Sequence, residues 1–311
     1  MSRYQVQNWS QYNKALQNRG NISFWVHEDA IKKWKAPKIK GFIGAPRIYS
    51  DDAILCMMML KMVFHLPYRQ LVGFLVSVFR FMGIRLSLPH FTTIGERALK
   101  LKDAVKKLSK KKASTIVFDS SGFKIYGEGK WKVRQHGKQE RRRWKKLHIG
   151  VCPDSHEILI AEVTELEGAD CTIGSKMIDK MPSSVKRILG DGAYDTRACY
   201  EKAHEHQIQL TVPPRKGAVI NKGGKAWSEE RDRAIATIIG LGNTKEAVTL
   251  WKKLSGYHKR SLVETAFSRF KGIFGSELFS RCPDKQKIEL LVKILSMNKM
   301  TLLGMPKGVM I

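Results

Sequence analysis

Residues 257–271 of this 311-residue chain read Tyr-His-Lys-Arg-Ser-Leu-Val-Glu-Thr-Ala-Phe-Ser-Arg-Phe-Lys, and their spacing constrains the fold more than any other stretch. At roughly 100° of rotation per residue on a helix, Arg260, Glu264 and Lys271 lie about 300° to 340° around the axis from Tyr257. Apolar residues fall on a separate face, namely Leu262, Val263, Ala266, Phe270 and Ile273. The spacing predicts a helix with one core side and a polar stripe beside it.

This stripe has two interpretations. A carboxylate flanked by a guanidinium, an ammonium and a phenol is suited to hold a metal ion near a phosphodiester. Arg260 and Glu264 are also spaced for an ordinary i,i+4 ion pair on a helix surface. The stripe alone leaves both interpretations open.

Two aspartates upstream lie where buried strands are predicted. Asp119 ends the run Ser-Thr-Ile-Val-Phe, which predicts a strand continuing into Gly122, and Asp191 follows Ile-Leu-Gly and precedes Gly-Ala-Tyr-Asp. A carboxylate in such a strand is unfavourable by propensity and by desolvation, and a bound divalent cation is a physical reason to tolerate it. The alternative for each aspartate is a turn-capping role beside glycine.

The order Asp119, Asp191, Glu264 and the pattern Y-x2-R-x3-E-x6-K around the glutamate resemble a known family, the bacterial insertion-sequence transposases of the DDE class. The resemblance is closest to the insertion-sequence-five group. It spans roughly Ile116 to Ile273, and the sequence Asp-Gly-Ala-Tyr-Asp at 191–195 is similar to that group's motif around the second aspartate.

The resemblance implies an α/β fold with a ribonuclease H-like catalytic core that cuts and joins DNA strands with magnesium or manganese. Asp119, Asp191 and Glu264 would be the catalytic residues and the ligands of two metal ions per active site, with Asp119 bridging the two. Arg260 and Lys271 would contact the backbone of the transposon end, and Tyr257 would pack or hydrogen-bond beside it. A homodimer is also expected on the basis of the family.

The charge of the chain predicts a polyanionic partner. Lysine and arginine number 56 against 28 acidic residues, which gives a net charge of +28 and favours double-stranded DNA. No basic amphipathic helix or lipid signal favours a membrane, and the first residues lack an apolar secretory segment. Five scattered cysteines without a C-x-x-C pair suit a reducing cytosol, so we expect a cytoplasmic, nucleoid-associated protein.

The first 112 residues divide into a predicted arm and a predicted helical domain. Residues 1–48 form a basic arm rich in tryptophan, whose indoles could stack on DNA or anchor the arm to the protein. Residues 49–112 predict three helices, which begin at an N-cap at Ser50, after Pro67 and at about Thr92, and a lysine-rich linker. They suit a helix-turn-helix unit or any small helical bundle. The candidate DNA contacts on its third helix are Thr92, Thr93, Arg97 and Lys100.

Residues 113–283 are predicted to form the catalytic domain, with an insertion at 213–256, and residues 284–311 an amphipathic C-terminal helix. An antiparallel trio of strands followed by alternating helices and strands is expected. The basic stretch from Lys130 to Lys146 is a candidate backbone clamp or a solvated hairpin. Its candidate DNA contacts are Lys130, Arg141, Arg142 and Arg143.

The sequence leaves some other functions open and gives little support to others. A ribonuclease H-like nuclease without strand transfer and a non-catalytic DNA-binding regulator both remain alternatives. A metal site built on His148 and His156, or on His204 and His206, lacks an H-E-x-x-H motif or a cysteine partner. The sequence contains no G-x-x-x-x-G-K-[ST] loop, so it does not predict an ATP-driven motor.

Overall fold

A computed structural model divides the chain into two units, Met1–Leu108 with Ser280–Ile311, and Ser109–Phe279. It describes residues 4–37, 47–102, 105, 108, 109, 111–126, 144–166, 170–221 and 223–310. The predicted arm, most of the predicted helical domain and the C-terminal helix all lie in the first unit. The protein is a mixed α/β protein, because the first unit is mainly helical and the second contains a mixed sheet.

The first unit is built from helices, and its two chain segments meet in a small antiparallel pair of strands, β1 (Tyr4–Val6) with β8 (Gly308–Met310). The helices are α1 (Trp9–Arg19), α2 (Ile22–Trp25), α3 (Glu28–Lys32), α4 (Asp51–Val63), α5 (Tyr68–Phe81), α6 (Phe91–Ala98) and, at the far end of the chain, α12 (Pro283–Leu303). Ser50 caps α4 as predicted, because its Oγ accepts a hydrogen bond from the Ala53 N–H at 3.0 Å.

The tryptophans of the predicted arm mostly serve the core. Trp25 and Trp34 are buried, and each indole N–H donates to a backbone carbonyl, of Arg19 and Ser87 respectively. Trp9 alone of the three is exposed. Residues 4–37 of this segment are therefore folded, and of its three tryptophans only Trp9 is exposed enough to stack on DNA.

Two helices differ from their predictions. The third helix of the predicted helix-turn-helix is α-helical only over Phe91–Ala98 and continues as a 3-10 turn over Leu99–Lys102. The C-terminal helix α12 is buried on all sides along Ile288–Ile294, so the amphipathic prediction is wrong. Charged residues usually mark the exposed face of a helix, but Glu289 and Lys293 are buried here and form an ion pair with each other at 2.9 Å.

Among the described residues, no single helix is long and apolar enough to cross a membrane. In the described part of the chain, only α4 and α5 taken together are long and apolar enough, and their axes are bent by 107° at the break between them.

The second unit is organised around a mixed sheet of strand order β4-β3-β2-β5-β6, with β7 also paired to β2. The strands β2 (Thr115–Ile125), β3 (Trp144–Val151) and β4 (Ile158–Glu165) are antiparallel, as predicted. The strands β5 (Arg187–Leu189) and β6 (Gln209–Thr211) run parallel to β2. β7 (Glu277–Leu278) pairs parallel to the far end of β2.

Helices cover both faces of this sheet. Side chains alternate between the two faces along β2, so Phe118 and Phe123 point to opposite faces. Phe118 packs with Tyr194 in the core formed with α7 (Asp170–Asp179) and α8 (Arg197–Glu205). Phe123 packs edge-on against Phe270 of α11 (Ser261–Phe274), with ring centroids 5.3 Å apart.

The predicted insertion contains a 3-10 turn at Ala226–Ser228 and the helices α9 (Glu229–Gly240) and α10 (Lys245–Leu254). These two helices pack on each other around a small apolar cluster of their own, formed by Ala234, Ile238, Ala247 and Trp251. The insertion therefore has local packing that does not depend on the main sheet alone.

Candidate active site

Asp119 and Asp191 lie at equivalent places on neighbouring parallel strands. Val117 of β2 is the register partner of Leu189 of β5, and each aspartate comes two residues later. Asp191 follows the end of β5, whereas β2 continues past Asp119, so the equal offset from the paired residues brings the two aspartates next to each other where β5 ends.

The edge of β2 that pairs with β5 and β7 is open in its middle. β5 pairs with Thr115–Val117 and β7 pairs with Lys124–Ile125, so in the described part of the chain no strand pairs with this edge between them. β3 pairs along the other edge and keeps β2 extended. Asp119 therefore sits beside a gap in the sheet, within a strand that continues past Gly122 as predicted.

Asp119 is half-buried, and the Ser120 N–H donates to its Oδ1 at 2.8 Å. Burial raises the pKa of this carboxyl group above its ordinary value, and the charges of Asp191 and Glu264 raise it further. The Ser120 hydrogen bond and the Arg260 guanidinium act in the opposite direction. The three acids are thus close enough to repel one another.

Asp191 caps the 3-10 turn Gly192–Tyr194, because its Oδ1 accepts the Ala193 N–H at 2.9 Å. The capping interpretation therefore holds for Asp191, alongside its position next to Asp119. The turn is held from behind by Asp195, whose buried carboxylate accepts the Arg215 N–H and the Arg231 Nε–H, each at 2.8 Å.

The residues 257–274 form two elements rather than one continuous α-helix. Tyr257–Arg260 is a 3-10 turn, and α11 begins at Ser261. Tyr257 is consequently buried against Trp251 instead of lying on a polar stripe, and burial raises its pKa to about 12. The rotation assumed for an α-helix does not apply across this turn, which contacts both β2 and β5.

Arg260 joins the acids of the site. Its Nη1 lies 2.6 Å from Glu264 Oε1, and its Nη2 lies 3.5 Å from Asp119 Oδ2. Burial would lower its pKa, but Asp119, Tyr257 and the other acids outweigh burial and raise it. Its Nε is buried and has no hydrogen-bond partner among the described residues.

Lys271 of α11 contacts β2 close to the open part of its edge. Its Nζ is 5.4 Å from the ring centroid of Phe123 on β2, and the side chain is half-buried. A cation on an aromatic face keeps its charge available to a second partner.

The predicted DNA contacts of the first unit have different surroundings. Arg97 is largely buried and donates to Asp51 at 2.6 Å and to the Tyr49 carbonyl at 3.0 Å, which contradicts its prediction as a phosphate contact. Thr92 and Lys100 are exposed and Thr93 is half-buried. Lys130, Arg141, Arg142 and Arg143 lie outside the described residues.

Comparison with known proteins identifies the family of the chain. Residues 110–299 match the model of a family described as transposase DDE domain, and residues 17–128 match a second model of the same description. The chain belongs to the transposase DDE domain family. A solved structure of the piggyBac transposase synaptic complex with hairpin DNA is similar at 10% identity and a TM-score of 0.44, covering 93% of this chain and 74% of that one. A pre-cleavage Mos1 transpososome is similar at 13% identity and a TM-score of 0.23, covering 78% and 83%.

DDE transposases use divalent metal ions, and the oxygen donors of Asp119, Asp191 and Glu264 suit such ions chemically. Burial is the main cause that raises the pKa of Asp119, and the charges of Asp191 and Glu264 add to it; a bound cation would favour the ionised carboxylate. Within the described ranges, however, no group of three or more His, Cys, Asp or Glu side chains is already arranged to hold a metal ion. Arg260 is the cation that faces Asp119 and Glu264 in this structure.

Sequence reasoning missed the residues that support this transposase site. Asp195 was visible in the motif Asp-Gly-Ala-Tyr-Asp, but its partner Arg231 lies in the insertion and no spacing rule connects the two. Asp170 follows an unremarkable acidic stretch, and only the fold brings it under β2, where the Ser120 hydroxyl donates to it at 3.2 Å.

Proposed function

We propose that this protein is an insertion-sequence transposase, closest to the insertion-sequence-five group, that binds transposon ends, cleaves the DNA backbone and joins the freed 3′-hydroxyl to target DNA. The observation that carries this proposal is that Arg260 pairs with both Asp119 and Glu264 at the open edge of β2, while Asp191 follows the strand β5 that is paired to β2. Membership of the transposase DDE domain family supports it.

The strand order of the second unit supports assigning its core as ribonuclease H-like. Three antiparallel strands are followed by two parallel ones, and helices lie on both faces. In this assignment the first two acids come from adjacent central strands and the third from a later helix. That is the order strand, strand, helix in which the sequence presents Asp119, Asp191 and Glu264.

Two magnesium or manganese ions are proposed as the cofactors, held by Asp119, Asp191 and Glu264. When bound, such ions activate a water molecule as the nucleophile and stabilise the charge that develops on the leaving oxygen. Asp119 is oriented for its part by the Ser120 N–H, and Asp191 by the turn that it caps. Arg260 must release Asp119 or Glu264 before those oxygens are available.

Arg260 and Lys271 are proposed to bind the DNA backbone beside the reacting phosphate. The Arg260 guanidinium is partly exposed at the open edge of β2, and a guanidinium binds phosphate oxygens through strong charge-assisted hydrogen bonds. Tyr257 is the first residue of the turn that ends at Arg260, and its ring packs against Trp251.

The first unit is proposed to read the DNA ends through a helix-turn-helix. Three helices, α4, α5 and α6, follow one another along this part of the chain, which supports the assignment. Thr92, Thr93 and Lys100 remain the proposed contacts, without Arg97. The net charge of +28 supports double-stranded DNA as the partner, and we further propose a homodimer in the cytoplasm, associated with the nucleoid.

The proposal is tested with Asp119→Asn. This variant should bind end DNA as the wild type does in a shift assay and should lose cleavage by at least ~100-fold, as is typical when a metal ligand is removed. A non-catalytic regulator would show no cleavage even in the wild type.

Strand transfer is tested separately with an end that is already cut to expose its 3′-hydroxyl. The wild type should join this end to plasmid DNA in the presence of Mg²⁺. Cleavage without any joined product would favour a ribonuclease H-like nuclease instead.

A further inference from the structure

Asp170, the first residue of α7, contacts three polar side chains on one face of the sheet. Its Oδ1 lies 2.6 Å from Lys146 Nζ, 3.2 Å from Ser120 Oγ and 3.5 Å from His148 Nδ1. Ser120 and His148 are register partners on β2 and β3, and Lys146 lies two residues further along β3. These three side chains therefore share one face of the sheet.

Burial determines which side chains of this cluster are charged. His148 is fully buried, and burial lowers its pKa despite the nearby Asp170 carboxylate, so the imidazole is neutral at neutral pH. Its Nε2 is bonded to Thr164 Oγ1 at 3.1 Å, while its Nδ1 has no hydrogen-bond partner in the described part of the chain. Lys146 is therefore the cation that neutralises Asp170.

Ser120 connects this cluster to Asp119. Adjacent residues of a strand point to opposite faces, so the Ser120 hydroxyl reaches down to Asp170 while the Asp119 carboxylate lies above. The Ser120 N–H donates to Asp119 Oδ1 at 2.8 Å. β3 pairs with the other edge of β2, but no described strand pairs with this edge, so the Ser120 side chain adds the contact that holds the residue from below.

We propose that Asp170 is a positioning residue for Asp119. By anchoring the Ser120 hydroxyl from the opposite face, it fixes the peptide whose N–H orients the Asp119 carboxylate. Groups that orient a metal ligand in this way typically change metal affinity or activity by ~10–100-fold when they are removed. The inference rests on the proposed function, because it assigns Asp119 the role of a metal ligand.

The test compares Asp170→Ala with Asp179→Ala, an exposed aspartate at the other end of the same helix. Asp170→Ala should bind Mn²⁺ in calorimetry ~10–100-fold more weakly than the wild type and cleave end DNA more slowly by a similar factor. Asp179→Ala should match the wild type in both. Asp170→Asn keeps an oxygen that accepts from Ser120, so it should recover most of the loss.

A purely structural role for Asp170 would lower the melting temperature without changing the Mn²⁺ affinity of the folded protein. Ser120 supplies a second route if Asp170→Ala does not fold. Ser120→Ala should reproduce the loss of affinity, and Ser120→Thr, which keeps the hydroxyl and suits a strand, should restore it. The double variant Ser120→Ala/Asp170→Ala should be no worse than the poorer single variant, because both act on the same contact.

The outcomes separate this inference from the proposed function. A wild type that binds Mn²⁺ and cleaves DNA, beside an Asp170→Ala variant with unchanged affinity and rate, would overturn the inference alone. A wild type that neither binds Mn²⁺ nor cleaves end DNA would overturn both.

Discussion

The ring of Tyr194 occupies a niche that exists because two neighbouring positions are glycine. A Cβ at Gly174 on α7 would lie 2.5 Å from Tyr194 Cδ1, and a Cβ at Gly190 would lie 2.8 Å from Cδ2. Tyr194 is only 2% exposed and packs on Phe118, so it has little room to move. We therefore expect Gly174→Ala to destabilise the second unit by overpacking.

The magnitude follows from two opposing effects. Replacing glycine by alanine inside a helix stabilises it by ~0.5–1 kcal/mol, because the unfolded chain loses freedom. Forcing an extra methyl group into a well-packed core costs ~1–3 kcal/mol. Gly272 on α11 is a matched control, because a Cβ there would meet nothing within 4 Å. Gly174→Ala should therefore be ~1–3 kcal/mol less stable than Gly272→Ala.

Thermal unfolding with a urea series measures this difference. For a unit of this size ~1 kcal/mol shifts the melting temperature by ~2–4 °C. Replacing Tyr194 by the smaller leucine should make room for the alanine. Gly174→Ala should therefore cost less stability in a Tyr194→Leu background than in the wild type. If Gly174→Ala proves as stable as Gly272→Ala, the niche is not the constraint that the distances indicate.

Three further outcomes are expected. Asp195→Ala should destabilise the protein by ~3–5 kcal/mol in urea unfolding, because it leaves Arg231 without its buried partner; a smaller loss than ~1 kcal/mol would contradict this role. Lys100→Ala should weaken DNA binding and reduce the salt slope by about one, whereas Arg97→Ala should lower stability and leave that slope unchanged; equal slopes in the two variants would refute the distinction. Burial raises the pKa of Asp119, so its ionisation opposes folding. With EDTA present, the stability gained by Asp119→Asn should be absent below the ordinary carboxyl pKa and should grow as the pH rises through the raised one; a pH-independent difference would count against the shift.

Local patterns predicted the elements that hold the candidate site. The apolar runs before Asp119 and Asp191 form strands as expected, and Ser50 caps its helix, because alternation and capping depend on residues close in sequence. The antiparallel trio follows from the same local signals.

Features that depend on distant partners were not predictable in this way. Arg97 faces Asp51 across 46 positions of chain, and Asp170 faces Ser120 across 50. The buried Glu289–Lys293 pair made a central helix resemble a surface one. In each case the charge of a side chain was readable from the sequence, but whether that charge is satisfied inside the protein was not.

The gap along β2 explains how one strand can carry a reactive acid without ending there. β3 keeps the strand extended on one edge, while the open edge leaves the Ser120 N–H free to bond Asp119 and leaves space for the Tyr257–Arg260 turn. In that space Arg260 balances Asp119 and Glu264. Under the proposed function, metal binding by these acids would require the guanidinium to move, because one cation would replace another on the same oxygens. The released Arg260 would then be available to the DNA backbone, so we expect ion binding and DNA binding to be coupled through this one side chain.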